Sequence, residues 1–352
     1  MEREMFSVPF SLCGIVDAPM LFSMSHRLLL VFSLLVLFLA GCSGGGDSAQ
    51  SGSPEQPSAP APADFLLTQY LGILALSDEE IAIAPSAVPV GYELGQQVRI
   101  TLSPTLYAAA TLVGDASLPP SGVYATVAGL SRLEMPVPAT VTITAPVPAT
   151  GLTEEQARAQ SECIEIVEGG AAQARLFLQA PHGGTVEVEC DDIVRAVQGN
   201  LGDNQAVSWS CIGYRQGGGS YDRWHITSTA IQPVSYAGLA SVATRSYEYA
   251  LSVHGHSGND ILIGGRGDQQ LKAALQSAFD RANLGFPIRI LTPGEPLSGT
   301  ATTNIVNRWS ANGIQLELPF DLRVNHRAAV VDVLTGVYRD ELIAQPQPLA
   351  NQ

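Results

Sequence analysis

A chain of 352 residues, 46% hydrophobic and 14% charged, can bury one large core or two smaller ones and has the composition of a folded protein. A formal net charge of −15, with the single lysine Lys272 against seventeen arginines, excludes a general nucleic-acid binder, which would carry a basic face. Any anionic ligand must meet a local cluster of arginines.

In chain order, Met24-Ser-His-Arg27 precedes the apolar run Leu28 to Ala40. This is the short cationic start and apolar stretch of a secretory signal, too short to span a bilayer comfortably as a mature helix. Residues 1–23 read as an over-long start, because Met24 opens the better signal. The run ends in Leu39-Ala40-Gly41-Cys42, which resembles a bacterial lipoprotein box. The resemblance implies a signal peptide over residues 1–42, lipidation of Cys42, and a membrane-anchored place in the cell envelope. Ser43 after the cysteine is similar to the outer-membrane sorting pattern of Gram-negative hosts. Residues 43–63, first Gly/Ser-rich and then Pro/Ala-rich, have the composition of a flexible tether.

Residues 64–151 read as a small β-rich module with no visible chemistry. Gln97–Leu102, Gly122–Val127 and Ala139–Thr144 are its clearest strands, and in the last of these Val141 and Ile143 alternate with Thr140, Thr142 and Thr144. Thr153-Glu-Glu-Gln156 fits a helix-starting capping box, and the texture changes near residue 152. From 152 to 345, strands at Ala174–Ala180, Ala206–Ile212, Tyr249–His254, Pro287–Leu291 and Ile314–Leu318 are interleaved with helical patterns. They predict an α/β domain with a mixed, largely parallel sheet and flanking helices. The clearest helix runs from about Asp268 to Asn283, its apolar stripe formed by Leu271, Ala274, Leu275, Ala278 and Phe279 and its stop by Gly285. Outside the signal region and Cys42 the chain keeps Cys163, Cys190 and Cys211, one bridge and one free thiol on the simplest reading; none has the C-x-x-C spacing of a metal site.

In such a sheet, reactive residues gather beyond the strand ends. His182-Gly-Gly-Thr-Val-Glu187, Trp224-His-Ile-Thr-Ser-Thr229, Ser252-Val-His-Gly255 with Ile263-Gly-Gly265, Asn304-Ile-Val-Asn-Arg308 and Gly313-Ile-Gln-Leu-Glu317 lie at strand-associated positions. In that order they resemble the poly-γ-glutamate hydrolase family, whose fold is similar to that of zinc carboxypeptidases. The resemblance covers about residues 174–325.

The resemblance implies a zinc ion held by His182, Glu187 and His254 with a fourth position left for water. Gly183 and Gly184 suit a loop that wraps closely round a metal. Glu189 is the alternative second ligand, because Thr185 and Val188-Glu-Cys-Asp191 replace the family's glycine-rich continuation; His256 is the neighbour of His254 that does not align. Glu317, between leucines, takes the position of the general base. Arg308 and Arg323 correspond to positions that bind substrate carboxylates, and His225 either binds substrate or orients a loop. A bridge from Cys190 to Cys163 or Cys211 would replace rigidity lost with the glycines. The implied activity is zinc-dependent hydrolysis of a γ-glutamyl or similar amide bond in a polymer or peptide. A peptidase acting on the γ-linked glutamate of peptidoglycan stems is the alternative, and a non-catalytic binding lipoprotein is a third possibility.

Overall fold

The computed structural model describes residues 59–170 and 172–344, which fall in one compact unit. The segments expected to form the signal and most of the tether, and Cys42, the expected lipidation site, lie outside the described residues. Among those described, no helix is long and apolar enough to cross a membrane.

Six strands open the fold: β1 (Ala63–Gln69), β2 (Glu80–Ile83), β3 (Gln97–Ser103), β4 (Leu106–Gly114), β5 (Gly122–Ala125) and β6 (Ala139–Thr144). They close into a barrel in the order β1-β5-β2-β4-β3-β6. Closure removes the exposed sheet edges that an open module of this size would present. Alternation sets the inside: Ile81, Ile83, Val98, Ile100, Leu112, Val141 and Ile143 are fully buried there, while Thr140 on β6 is exposed. The helix α1 (Val127–Leu133) follows β5, capped by Thr126, whose side chain accepts from Gly129 N.

The second sheet has seven strands: β7 (Cys163–Glu168), β8 (Leu176–Gly184), β9 (Ala206–Gly213), β10 (Tyr249–His256), β11 (Ile261–Ile263), β12 (Ile288–Ile290) and β13 (Asn312–Pro319). Their order is β12-β11-β13-β10-β8-β9-β7. The central run β13-β10-β8-β9 is parallel, but β7 joins β9 and β11 joins β13 antiparallel. The sheet is therefore mixed, which corrects the largely parallel expectation. Both antiparallel pairings come from strands with weak period-2 signal: β11 is only three residues, all apolar, and the Val167-Glu168 end of β7 breaks the alternation of Ile164, Glu165 and Ile166.

Period-2 alternation covers both faces. Leu176, Leu178, Ala180, Leu251, Val253, Ile314, Leu316 and Leu318 pack against α3 (Cys190–Leu201), α6 (Gln269–Ala282) and α9 (Arg327–Ala344). The opposite face places Phe177, Trp209 and Ala250 against α4 (Ser220–Trp224), α5 (Ala237–Val242), α7 (Ile305–Arg308) and the barrel residues Tyr107 and Ala109. Barrel and sheet thus share a hydrophobic core. Two short helices complete the fold: α2 (Glu154–Gln160) and α8 (Phe320–Asn325). The capping box at Thr153 forms as expected, with Thr153 Oγ1 accepting from Gln156 N and Gln156 Oε1 accepting from Thr153 N. Helix α6 begins at the Asp268 cap, but it stops at Asn283, in the left-handed region at φ 49°, two residues before Gly285.

The cysteines depart from expectation. Cys190 is buried at the start of α3 against Arg323, whereas Cys163 and Cys211 bring their sulfurs to 3.4 Å across β7 and β9. Cys163 pairs with Gly213 and Glu165 with Cys211, so the two cysteines are diagonal neighbours on one sheet face.

Candidate metal centre

Face parity positions the site. On the barrel-facing side of the sheet, Phe177 and Ala250 are followed by Gln179, then Ser252 and His254, and the neighbouring β13 contributes Gln315 and Glu317. Register pairs Ser252 with Gln315 and His254 with Glu317. Apolar packing thus gives way to polar side chains at the carboxyl ends of parallel strands, where α/β sheets place their ligands.

His182 arrives at the same place through a bulge in β8 between Ala180 and Gly183. The chain then turns back: Glu187 N donates to His182 O at 2.8 Å, which returns the Glu187 carboxylate to the histidine five positions earlier. The glycines of this turn serve packing rather than metal approach. A Cβ on Gly183 would lie 2.7 Å from that of Asp191, and Gly184 has a φ of 72° against the carbonyl of Gly213.

His182, Glu187 and His254 are buried and are the one group of metal-ligand type found among the described residues, with one donor atom of each within 4.8 Å of the others. His182 Nδ1 lies 3.0 Å from Glu187 Oε1 and 3.1 Å from His254 Nδ1, and Glu187 Oε2 lies 3.5 Å from His254 Nδ1. The outer ring nitrogens are tied off. His182 Nε2 meets the carbonyl of Ile226 at 2.9 Å, which can only accept, so that nitrogen carries the proton. His254 Nε2 meets Ser252 Oγ at 2.9 Å. With Nε2 protonated, a neutral His182 turns a bare lone pair toward a carboxylate and another imidazole. A proton on His254 Nδ1 can bridge only part of this convergence, whereas a divalent cation meets all three donors at once; the residues fit a metal.

The electrostatics agree. Burial alone would raise the Glu187 carboxyl, but the facing His182 and His254 hold it well below the usual carboxylate range. Burial would depress His182, yet Glu187 and the Ile226 carbonyl leave it above its ordinary value. On Glu317 burial wins over the opposing pull of His254. Burial, reinforced by the charge of Glu187, lifts it to about 7, and its side-chain hydrogen bond comes from Gln315 Nε2 at 2.7 Å. Asn304 Nδ2 in turn donates to Gln315 Oε1 at 2.8 Å, so a chain of amides holds the carboxylate.

These groups open into a cleft of about 1030 Å³ that also takes in His225, His256 and Arg323. Arg323 is buried, donates to the carbonyls of Leu318 and Val188, and packs its guanidinium against Gly255, while Nη2 has no hydrogen-bond partner among the described residues. Arg308 is elsewhere: it donates to Ile231 O at 2.6 Å and Gln232 Oε1 at 2.8 Å and does not line the cleft. The carbonyl and amide of the loop satisfy a guanidinium that the sequence reading assigned to substrate. Glu189, the rival ligand, sits in the left-handed region at φ 73° and pairs with Arg327, away from the histidines. His256 shapes its own turn through Asp260 O and Gly258 N.

One cleft-side residue is missed altogether. Glu79, in the turn before β2, hydrogen-bonds His225 Nδ1 through Oε1 and accepts from Thr227 N at 2.7 Å through Oε2. Burial would raise its carboxyl, but His225, the Thr227 N–H and Arg132 bring it below the usual range. The barrel is therefore not without chemistry.

The model of the poly-γ-glutamate hydrolase family matches residues 151–328. The chain belongs to that family. Among solved structures it is similar to zinc-free YndL, at 22% identity and a TM-score of 0.42 over 51% of this chain and 91% of that one. The bacteriophage poly-γ-glutamate hydrolase matches at 20% identity and 0.41, over 51% and 91%. A metallo-carboxypeptidase from Burkholderia cenocepacia matches at 13% and 0.36, over 73% and 84%. No curated protein matches significantly. Membership makes the chain a hydrolase by family, and the matched span contains His182, Glu187, His254 and Glu317.

Proposed function

We propose that this chain is a zinc-dependent hydrolase of γ-glutamyl amide bonds. The observation that carries the reading is the meeting of His182 Nδ1, His254 Nδ1 and Glu187 Oε1, with the outer nitrogens of both imidazoles already hydrogen-bonded. Two imidazoles and a carboxylate are a ligand set that catalytic zinc takes while keeping a position open. When bound, the ion would polarise the amide carbonyl and make water more acidic.

The chain's own groups do the rest. Glu317, a buried carboxyl paired in register with His254, takes the proton of the attacking water and passes it to the departing amine. Gln315 and Asn304 hold its carboxylate in place. Arg323 offers its free Nη2 to a substrate carboxylate, one of which each γ-linked glutamate carries. The intact ligand set and base favour catalysis over the binding-only reading. Export, lipidation at Cys42 and a place in the cell envelope are part of the proposal and rest on the N-terminal sequence.

The test is elemental analysis joined to an assay. Wild-type protein is expected to carry about one zinc per chain and to cleave poly-γ-glutamate but not α-linked polyglutamate, and His182→Ala or His254→Ala should remove the metal and the activity together. Wild-type protein that neither contains nor takes up zinc refutes the metal. Zinc-loaded protein that cleaves γ-linked stem peptides and spares the polymer would move the substrate to peptidoglycan.

A further inference from the structure

The barrel holds a segment of the cleft wall at its backbone and at a side chain. Arg132, buried on α1, donates through Nη2 to the carbonyl of His225 at 2.7 Å and through Nη1 to Ala109 O on β4 at 2.9 Å. Gln97 on β3 donates to the carbonyl of Ala230 and to Ser235 Oγ, and it accepts from Gln232 N. Glu79 closes the set, one oxygen on the His225 ring and the other on the Thr227 amide. Residues 225–235 are thus moulded on the barrel.

The His225 ring has little freedom left. One face stacks on Tyr221, with centroids 4.2 Å apart and planes at 20°. The other lies against the ligand His182, with centroids 4.0 Å apart and planes at 37°. Nδ1 belongs to Glu79, and since a carboxylate accepts, Nδ1 carries the proton. Nε2, the ring's remaining polar atom, has no hydrogen-bond partner among the described residues, and the residue lines the cleft.

We propose that Glu79 and His225 form a dyad in which the barrel carboxylate fixes the imidazole with Nδ1 protonated, so that Nε2 accepts a hydrogen bond from the amide N–H of a bound γ-glutamyl link. The substrate half of this statement rests on the proposed function; the dyad itself does not. His225 is a substrate-binding residue and Glu79 a positioning residue acting through it. The barrel is then a working part of the site, and a chain without it would lack the group that orients the link beside the metal.

Two measurements on the full, zinc-loaded chain test the dyad. The first is long-range proton–nitrogen correlation of the imidazoles, which is tractable because the sequence has six histidines, with His225→Gln to assign the signal. The expected spectrum shows His225 protonated at Nδ1 and bare at Nε2 in the wild type, and a mixture of tautomers in Glu79→Ala. A wild-type His225 protonated at Nε2, or at both nitrogens, overturns the dyad. The second is a mutant cycle on poly-γ-glutamate. Glu79→Ala and His225→Ala should each lower kcat/KM by about tenfold, chiefly through KM, as expected for one lost hydrogen bond to substrate. The double variant should lose no more than His225→Ala alone, and Glu79→Gln, which keeps an acceptor oxygen, should restore most of the loss. Losses that multiply, or full kcat/KM in Glu79→Ala with zinc content unchanged, overturn it. If the wild type leaves the polymer intact, the substrate reading falls, and the tautomer measurement decides the dyad by itself.

Discussion

Replacing Glu317 with glutamine tests the general base and the burial that tunes it in a single variant. Glu317 is 4% exposed on a strand whose neighbours Leu316 and Leu318 are fully buried, and its pKa stands at about 7 against an ordinary 4.5. A carboxyl with a raised folded-state pKa binds its proton more tightly in the folded chain than in the unfolded one. The stability this gives is complete below about 4.5 and is lost as the pH rises through about 7. Above that window the metal-free protein holds an ionised buried carboxylate at a penalty of roughly 3 kcal/mol, at about 1.4 kcal/mol for each pH unit between the two values. Glutamine has the same shape and no proton to lose. In chelator-treated protein, Glu317→Gln should therefore match the wild type near pH 4.5 and exceed it by up to roughly 3 kcal/mol at pH 8, read from urea unfolding at stepped pH. Turnover of the zinc-loaded variant should move the other way, falling by about 10²- to 10⁴-fold with zinc retained. A stability difference that stays flat across this pH range refutes the burial argument, and undiminished turnover removes Glu317 from the base role.

Two further outcomes separate the side chains that the sequence left ambiguous. Diamide, which takes two electrons and two protons from a thiol pair, should link Cys163 to Cys211 and leave Cys190 free to alkylate; non-reducing peptide mapping checks this, and a peptide joined through Cys190 refutes it. Arg323→Lys keeps the charge and loses the planar fork, so KM for the polymer should rise about tenfold, whereas Arg308→Ala should lower the melting temperature and leave KM within about twofold; steady-state kinetics beside thermal unfolding read both.

What was legible in the sequence is what local rules govern. The β6 alternation, the Thr153 capping box and the apolar stripe of α6 are each contained within a short window, and each appears in the structure. The His182, His254 and Glu317 segments were legible through the resemblance of five short motifs in order, helped for His182 and His254 by the change from apolar to polar residues at a strand end. Two kinds of feature were not. Strand β11 is three consecutive apolar residues and β7 loses its alternation at Val167-Glu168, so the antiparallel flanks of the sheet had little local signal. Glu79 lies in Ser77-Asp-Glu-Glu80, which reads as a solvated turn, and its partner His225 is 146 positions away. Only the docking of the barrel on the loop gives that carboxylate a role. Arg308 failed in the opposite direction: its place in the Asn304–Arg308 motif was plain, but whether a guanidinium faces a cleft or two loop acceptors is decided by tertiary packing.

The charge of the chain bears on how a polyanion reaches this site. With a net charge of −15 the protein repels poly-γ-glutamate at long range, yet the cleft floor need not. A divalent ion would offset Glu187 and Glu317, Arg289 pairs with the cleft's third carboxylate, Glu295, and Arg323 then adds one positive charge beside the scissile link. Repulsion acts over the distance of approach, while the local attraction acts within a few ångströms, and salt discriminates between them because the screening length shrinks from about 30 Å at 0.01 M to about 8 Å at 0.15 M. Raising ionic strength over that range should therefore increase kcat/KM for the long polymer by up to about tenfold, since screening lifts the long-range barrier and hardly touches the buried contacts. kcat should stay level, because the bound link is already inside the screened region. Short γ-glutamyl oligomers carry fewer charges and should show a shallower rise. Initial rates at stepped sodium chloride, on polymer and oligomer in parallel, measure both slopes. A kcat/KM that falls with salt would mean that a basic approach path outweighs the acidic surface, and Arg323 alone, buried as it is, does not provide one.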